Sequence, residues 1–281
     1  MFGTTGGMVI LAALLHASWN AMLHGTRDRF VTMTWMSIAI AAVATLYIAA
    51  AAPMPTAAAW PYIVASGLIH ILYNCLLVWS YRVGDFSRAY PIARGASPLL
   101  VTLGAAAAGH EALAPVHLLG VLLVCGGIIV LAVQRGGIGR TGAIAALATG
   151  VVIALYTVVD GIGVRLSGGQ ALAYTPWMFA WYWLMPLVLF GLRGRGAWRD
   201  LASVPAAPLL ASWAGGVVSV LAYGIVIWAM QSGAMGAVSA LRETSVVFAV
   251  LIGRLFLQEK VSRKTWLACL VVAGGAICLG W

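Results

Sequence analysis

The chain has 281 residues, of which 63% are hydrophobic and 8% charged, with a mean hydropathy of +0.99. Ordinary soluble domains carry roughly a quarter charged residues, so a water-exposed globule is excluded. The formal charge of +9 does not indicate nucleic acid, because the cations sit in short loops between apolar blocks. A membrane protein keeps its orienting charges there.

The apolar blocks are about 20 residues long, enough to cross a hydrocarbon core of ~30 Å. They predict helices over 8–24, 31–52, 61–81, 87–108, 116–134, 142–163, 172–192, 207–230, 235–257 and 264–280. A closed barrel would instead need alternating segments of about ten residues. The first block has neither a basic leader nor a small-residue cleavage site after it, and reads as a retained helix. It carries His16 and Asn20 on one face, with Trp19 beside them. Helix 3 repeats the spacing with His70 and Asn74, and Tyr73 and Tyr81 extend its polar stripe. Helix 4 holds Tyr90 and Arg94 beside two prolines, Pro91 and Pro98. Helix 6 brings Tyr156, Thr157 and Asp160, helix 8 Ser219, Tyr223 and Trp228, and helix 9 Arg242 and Glu243. Trp177, Trp181 and Trp183 in helix 7 read as an interfacial belt. Cys75, Cys125, Cys269 and Cys278 all lie in apolar blocks without a C-x-x-C pair, which indicates packing thiols. His110-Glu111 opens like a zinc-protease motif but lacks the second histidine four residues on. No metal, cofactor or nucleophile constellation is expected, so an enzyme is not.

The loops after helices 1, 3, 5, 7 and 9 hold thirteen basic residues, and those after helices 2, 4, 6 and 8 hold only Arg165. The positive-inside rule puts the first set in the cytoplasm and both termini outside. Shifted by 148, Arg94 falls on Arg242, Ser97 on Ser245, Glu111 on Glu259 and Gly126-Gly127 on Gly274-Gly275. The chain therefore reads as a duplicated five-helix unit, 1–134 and 142–281, and an odd number of crossings inverts the second copy. Inverted repeats are common in secondary transporters, with the substrate site near the midplane between them.

Polar groups in hydrocarbon are costly and ask for a partner or a task. His16, Trp19, Asn20, His70, Tyr73, Asn74, Tyr90, Arg94, Tyr156, Asp160, Tyr223, Arg242 and Glu243 are the candidate substrate-binding residues. Arg94 and Arg242 lie deep in their helices, where an arginine costs ~2.5–3.5 kcal/mol even on lenient scales. Glu243 neutralises one of them, leaving these three groups at +1. An anionic ligand group would supply the missing charge, since the arginine fork suits carboxylate or phosphate. The competing account bonds Arg94 to backbone carbonyls freed by the two prolines of helix 4. Glu243 is also the candidate for proton coupling.

These features together resemble the EamA family of the drug/metabolite transporter superfamily. Its marks are ten helices in a five-plus-five inverted repeat, acids closing helices 4 and 9 (Glu111 and Glu259), and the Gly-Gly pairs that follow. The segments His16-Ala17-Ser18-Trp19-Asn20-Ala21, Tyr90-Pro91-Ile92-Ala93-Arg94-Gly95 and Leu241-Arg242-Glu243-Thr244-Ser245 fit a subgroup of it. The resemblance implies an exporter or exchanger of metabolites such as amino acids, with a cavity lined by helices 1, 3, 4, 6, 8 and 9. Two features depart from the family: the charge count places the termini outside, and helix 1 lacks the glutamate of the small multidrug members. The expectation is an all-α integral membrane carrier in the bacterial inner membrane, for a small anionic or zwitterionic metabolite. Its partners are that substrate and the lipid bilayer, not nucleic acid. A helical scaffold or receptor that transports nothing is the alternative.

Overall fold

The computed structural model describes residues 3–24, 26–83, 86–108, 111, 114–134, 139–256, 258 and 261–280. Among them the regular structure is entirely helical: α1 (Thr4–His24), α2 (Arg29–Ala50), α3 (Trp60–Val83), α4 (Phe86–Ala107), α5 (Pro115–Gln134), α6 (Arg140–Leu166), α7 (Ala171–Phe179), α8 (Leu184–Arg193), α9 (Gly196–Ala202), α10 (Ala206–Met230), α11 (Met235–Arg242), α12 (Ser245–Phe256) and α13 (Arg263–Gly280). Among the described residues, seven stretches are long and apolar enough to cross a membrane: Thr4–Leu23, Arg29–Ala50, Ala57–Ser80, Arg140–Leu166, Ala171–Arg193, Ala206–Met230 and Met235–Leu255. The chain is a multi-pass membrane protein.

Two expected helices are interrupted. The span from Ala171 to Arg193 tightens into a 3-10 segment over Ala180–Trp183. Pro186 lacks the N–H that would close the turn onto the Tyr182 carbonyl, so the ladder shortens here. The ninth predicted helix breaks at Glu243 and Thr244, where neither proline nor glycine occurs. The Thr244 hydroxyl donates to the Leu241 carbonyl at 2.7 Å, and i→i+3 bonds carry the chain onward. Arg242 thus ends α11 and does not sit within an unbroken helix. A seven-residue helix, α9, occupies the loop after Arg193.

The helices pack in a pattern that crosses the halves of the sequence. Helix α1 lies against α10, α11 and α12, α3 against α6, α4 against α5, α6 and α11, and α5 against α13. Close approach of α5 and α13 depends on two glycines. A Cβ on Gly120 would stand 2.9 Å from the Gly275 carbonyl oxygen, and one on Gly275 2.8 Å from that of Gly120. Small residues let membrane helices meet backbone to backbone in this way.

Asp28 fixes the turn into α2. Its Oδ1 accepts from the Phe30 and Val31 N–H groups, at 3.1 and 3.2 Å. Arg193 donates to both Asp28 oxygens, at 2.7 and 3.0 Å, and to Asp200 at 2.8 Å, tying the α1–α2 turn to the end of α8. Partial burial pushes the Asp28 carboxyl up, but Arg193 and the two backbone N–H groups outweigh it and hold the carboxyl below its ordinary range. A depressed folded value gives stability above the ordinary aspartate range, near pH 4, that disappears as pH falls through the folded value. Arg193→Gln is therefore expected to lower the Tm at pH 7, with the difference from the parent protein closing in acid. An equal difference at pH 7 and pH 3 would show that the Asp28–Arg193 clasp does not stabilise the fold.

Candidate functional site

Arg94 of α4 and Arg242 of α11 meet at the helix break, each 1% exposed. Glu243, fully buried, lies between them. Its Oε2 stands 2.5 Å from Arg94 Nε, and its Oε1 accepts from Arg242 Nε and Nη2 at 3.2 and 3.1 Å. Glu243 lies at the helix break, with its carboxylate against Arg94 of α4. Arg94 Nη2 also donates to Ser245 Oγ at 3.3 Å. The glutamate thus bridges both arginines, not the neighbouring one alone, and the centre retains one positive charge.

Several buried polar atoms near this centre have no hydrogen-bond partner among the described residues: Arg242 Nη1, His16 Nε2, Asn20 Oδ1, Ser97 Oγ and Ser239 Oγ. Ser97 stands one turn beyond Arg94 and Ser239 one turn before Arg242, so both share the faces of the arginines. His16 lies within Coulombic range of both guanidinium groups. Trp19 Nε1 donates to His16 Nδ1 at 3.2 Å, and Asn20 Nδ2 to the His16 carbonyl at 2.9 Å, which fixes this α1 trio. Native structures leave few buried polar groups unpaired.

A second pole surrounds Asp160 of α6. Its two oxygens accept from the hydroxyls of Tyr174 and Tyr223, at 2.9 and 2.5 Å. Tyr223 joins the two poles, because its ring also lies 6.0 Å from the Arg242 guanidinium carbon. The His70 ring lies 4.1 Å from that of Tyr156 and 5.2 Å from that of Tyr223, while its Nδ1 donates to the Ser66 carbonyl at 2.9 Å. Tyr73 meets Tyr156 edge to face at 5.4 Å. Asn74 is buried beside this group on α3, and its Nδ2 has no acceptor among the described residues. The side chain of Tyr90 lies outside the described residues, as do Glu259 and His110.

At one end of the bundle Glu111 and Arg165 form a latch. Arg165 Nη2 contacts Glu111 Oε1 at 2.5 Å and donates to the Gly233 carbonyl at 2.9 Å, and its Nε donates to the Met230 carbonyl at 3.1 Å. Glu111 accepts in turn from the N–H of Met235, at 2.7 and 2.9 Å. The end of α6 and the α10–α11 turn are thereby held to the segment after α4.

The profile of the EamA-like transporter family matches residues 140–281, half of the chain. The chain belongs to the EamA-like transporter family. No curated protein matches it. A solved structure described simply as the crystal structure of a protein superposes with a TM-score of 0.74 at 22% identity, covering 98% of this chain and 94% of that one. At that identity the likeness is one of fold, and it extends to the N-terminal half that the family profile does not reach.

Sequence reading of this EamA-like transporter passed over Tyr174, Phe179 and Tyr182. All three are buried, and Phe179 packs on Tyr182 at 5.5 Å and on Tyr223 at 6.3 Å. The signal was available: Tyr174, Met178 and Tyr182 recur at four-residue steps, which places them on one helical face. The three tryptophans nearby masked it. Of these, Trp183 is 46% exposed and bonds to Thr45, Trp177 bonds to the Pro53 carbonyl, and Trp181 packs over Gly67.

Proposed function

We propose that this EamA-like transporter carries a small zwitterionic or anionic metabolite, an amino acid or organic acid, across the bacterial inner membrane by alternating access. The observation that carries this reading is the two-pole site. A positively charged arginine centre, with unpaired donors around it, lies across the Tyr223 ring from a buried carboxylate. A substrate carboxylate suits Arg242 Nη1 and Ser97, and an ammonium group suits Asp160. The described members of the site are all buried, which corresponds to an occluded state that must open to admit substrate.

Ten passes and inversion are supported by several features. Helices α4, α5 and α13 are 22, 20 and 18 residues long, and about 27 Å or more at 1.5 Å per residue. Exchanging the first five spans for the last five maps the α3–α6 contact onto α10–α1, and α4–α6 onto α1 with α11 and α12. Glu111–Arg165 and Asp28–Arg193 then fall at opposite ends, each tying one half to the other. They are the candidate gates, one to be released on each side. A proton is the candidate coupling ion, with Glu243 its carrier.

A thermal-shift panel on purified protein tests the substrate class, because a ligand stabilises the state it binds. Neutral amino acids are expected to raise the Tm more than matched amines. Acceleration of their uptake into proteoliposomes by a pH gradient would accord with proton coupling. Stabilisation by amines alone would overturn the carboxylate assignment, and uptake indifferent to the gradient would remove the proton.

A further inference from the structure

A separate cavity of about 480 Å³ lies between α1, α2, α7 and α10, and none of the candidate substrate-binding residues lines it. That volume falls within the ~300–1,000 Å³ typical of small-molecule pockets. Its mouth is framed by Leu172, Leu221 and Trp228, which are 60%, 54% and 41% exposed on the outside of the bundle, where lipid lies. The remaining wall is nearly all apolar. The exceptions are Tyr47 and Thr175, and Thr175 is unusual. It is 7% exposed, and its hydroxyl has no hydrogen-bond partner among the described residues. A threonine in a helix ordinarily returns its hydroxyl to a carbonyl of the preceding turn, as Thr34, Thr149 and Thr157 all do here. One residue further, Pro176 has no N–H to offer the Leu172 carbonyl. An apolar cavity open to hydrocarbon thus contains an unused donor, and unpaired polar groups are costly in lipid.

We propose that this cavity holds an acyl chain of a bilayer phospholipid, with the chain's ester carbonyl accepting from Thr175. The depth fits. Thr175 stands four residues into α7, about 6 Å along its axis, close to the interfacial layer where ester groups reside. Tyr47 and Trp228 at the rim are the aromatic types enriched at that level. All the lining segments come from the ends of spans that meet on one side: the start of α1 and of the Ala171–Arg193 span, and the end of α2 and α10. The chain would also rest on Phe179, whose ring touches Tyr182 and Tyr223 beside Asp160. The lipid site therefore adjoins the 3-10 segment of the seventh span.

Photocrosslinking of the full-length protein tests this. Vesicles of phosphatidylethanolamine and phosphatidylglycerol would carry a trace of phosphatidylcholine bearing a diazirine on one acyl chain near its ester. Adducts are expected on 172–176 and 221–228, several-fold above those at Leu119 and Leu270, exposed residues that provide the general lipid background. A Cβ on Gly224 meets nothing within 4 Å, so Gly224→Phe and the milder Gly224→Leu project into the cavity. Both should abolish the pocket adducts and leave the Leu119 and Leu270 adducts intact, which also reports that the variants are folded. Thr175→Val should shift or weaken the adducts nearest the ester. Pocket labelling no higher than background, or unchanged in both glycine variants, would overturn the site. Unchanged labelling in Thr175→Val would overturn the ester contact.

Discussion

Glu243→Gln is expected to cost ~3–5 kcal/mol of stability, because removing one partner of a buried ion pair leaves uncompensated charge. Here two guanidinium groups are left, each 1% exposed, where one carboxylate had served both. The Tm in mild detergent should fall sharply and the yield of monodisperse protein with it. A second substitution reports the cause. Arg94→Gln added to Glu243→Gln removes one of the two stranded charges, so the double variant should be more stable than Glu243→Gln alone. Contacting residues show such non-additivity when they share a network. If the double variant is destabilised by the sum of the single effects, Glu243 does not bridge the arginines.

Arg94→Gln alone should behave in the opposite way. It leaves Arg242 and Glu243 as a neutral hydrogen-bonded pair, at 3.1 and 3.2 Å, so the fold should tolerate it. Substrate affinity should fall roughly 10- to 150-fold, because the surplus positive charge that attracts the substrate carboxylate to Arg242 and Ser97 is gone; that is ~1.5–3 kcal/mol, comparable to a hydrogen bond to a charged group. The prolines inside α4 are the rival cause, since Pro98 cannot donate to the Arg94 carbonyl. Isothermal titration with the best ligand from the thermal-shift panel separates the two. Loss of folded protein with affinity unchanged in what remains would make Arg94 a structural brace for α4.

Much of this arrangement was legible in the sequence because lipid makes its demands in one dimension. An apolar run of 20 residues announces a span wherever it occurs, and a buried Arg94 or Asp160 stands out against it. A shift of 148 in the sequence aligns Arg94 with Arg242, and the two meet across Glu243. What escaped was local geometry created by tertiary contacts. The break at Glu243 carries no proline or glycine, and the side chain's pull toward α4 cannot be read from neighbours in sequence. Tyr174 and Tyr182 were hidden for another reason. Tryptophans dominate helix 7, and an aromatic stripe facing inward has the same composition as one facing lipid. Arg165, read as a lone loop cation, instead closes the last turn of α6 and pairs with Glu111. Pairing over 54 positions leaves no trace in local pattern.

In the proposed mechanism substrate crosses the membrane through the arginine–aspartate site. Counterflow in proteoliposomes tests it most directly: vesicles preloaded with unlabelled amino acid, radiolabelled amino acid outside, and no ion gradient. The parent protein is expected to accumulate label transiently. Arg94→Gln and Asp160→Asn, each reconstituted to equal folded amounts, should show none. Equal counterflow in both variants, or none in the parent with any ligand that shifts its Tm, would contradict it.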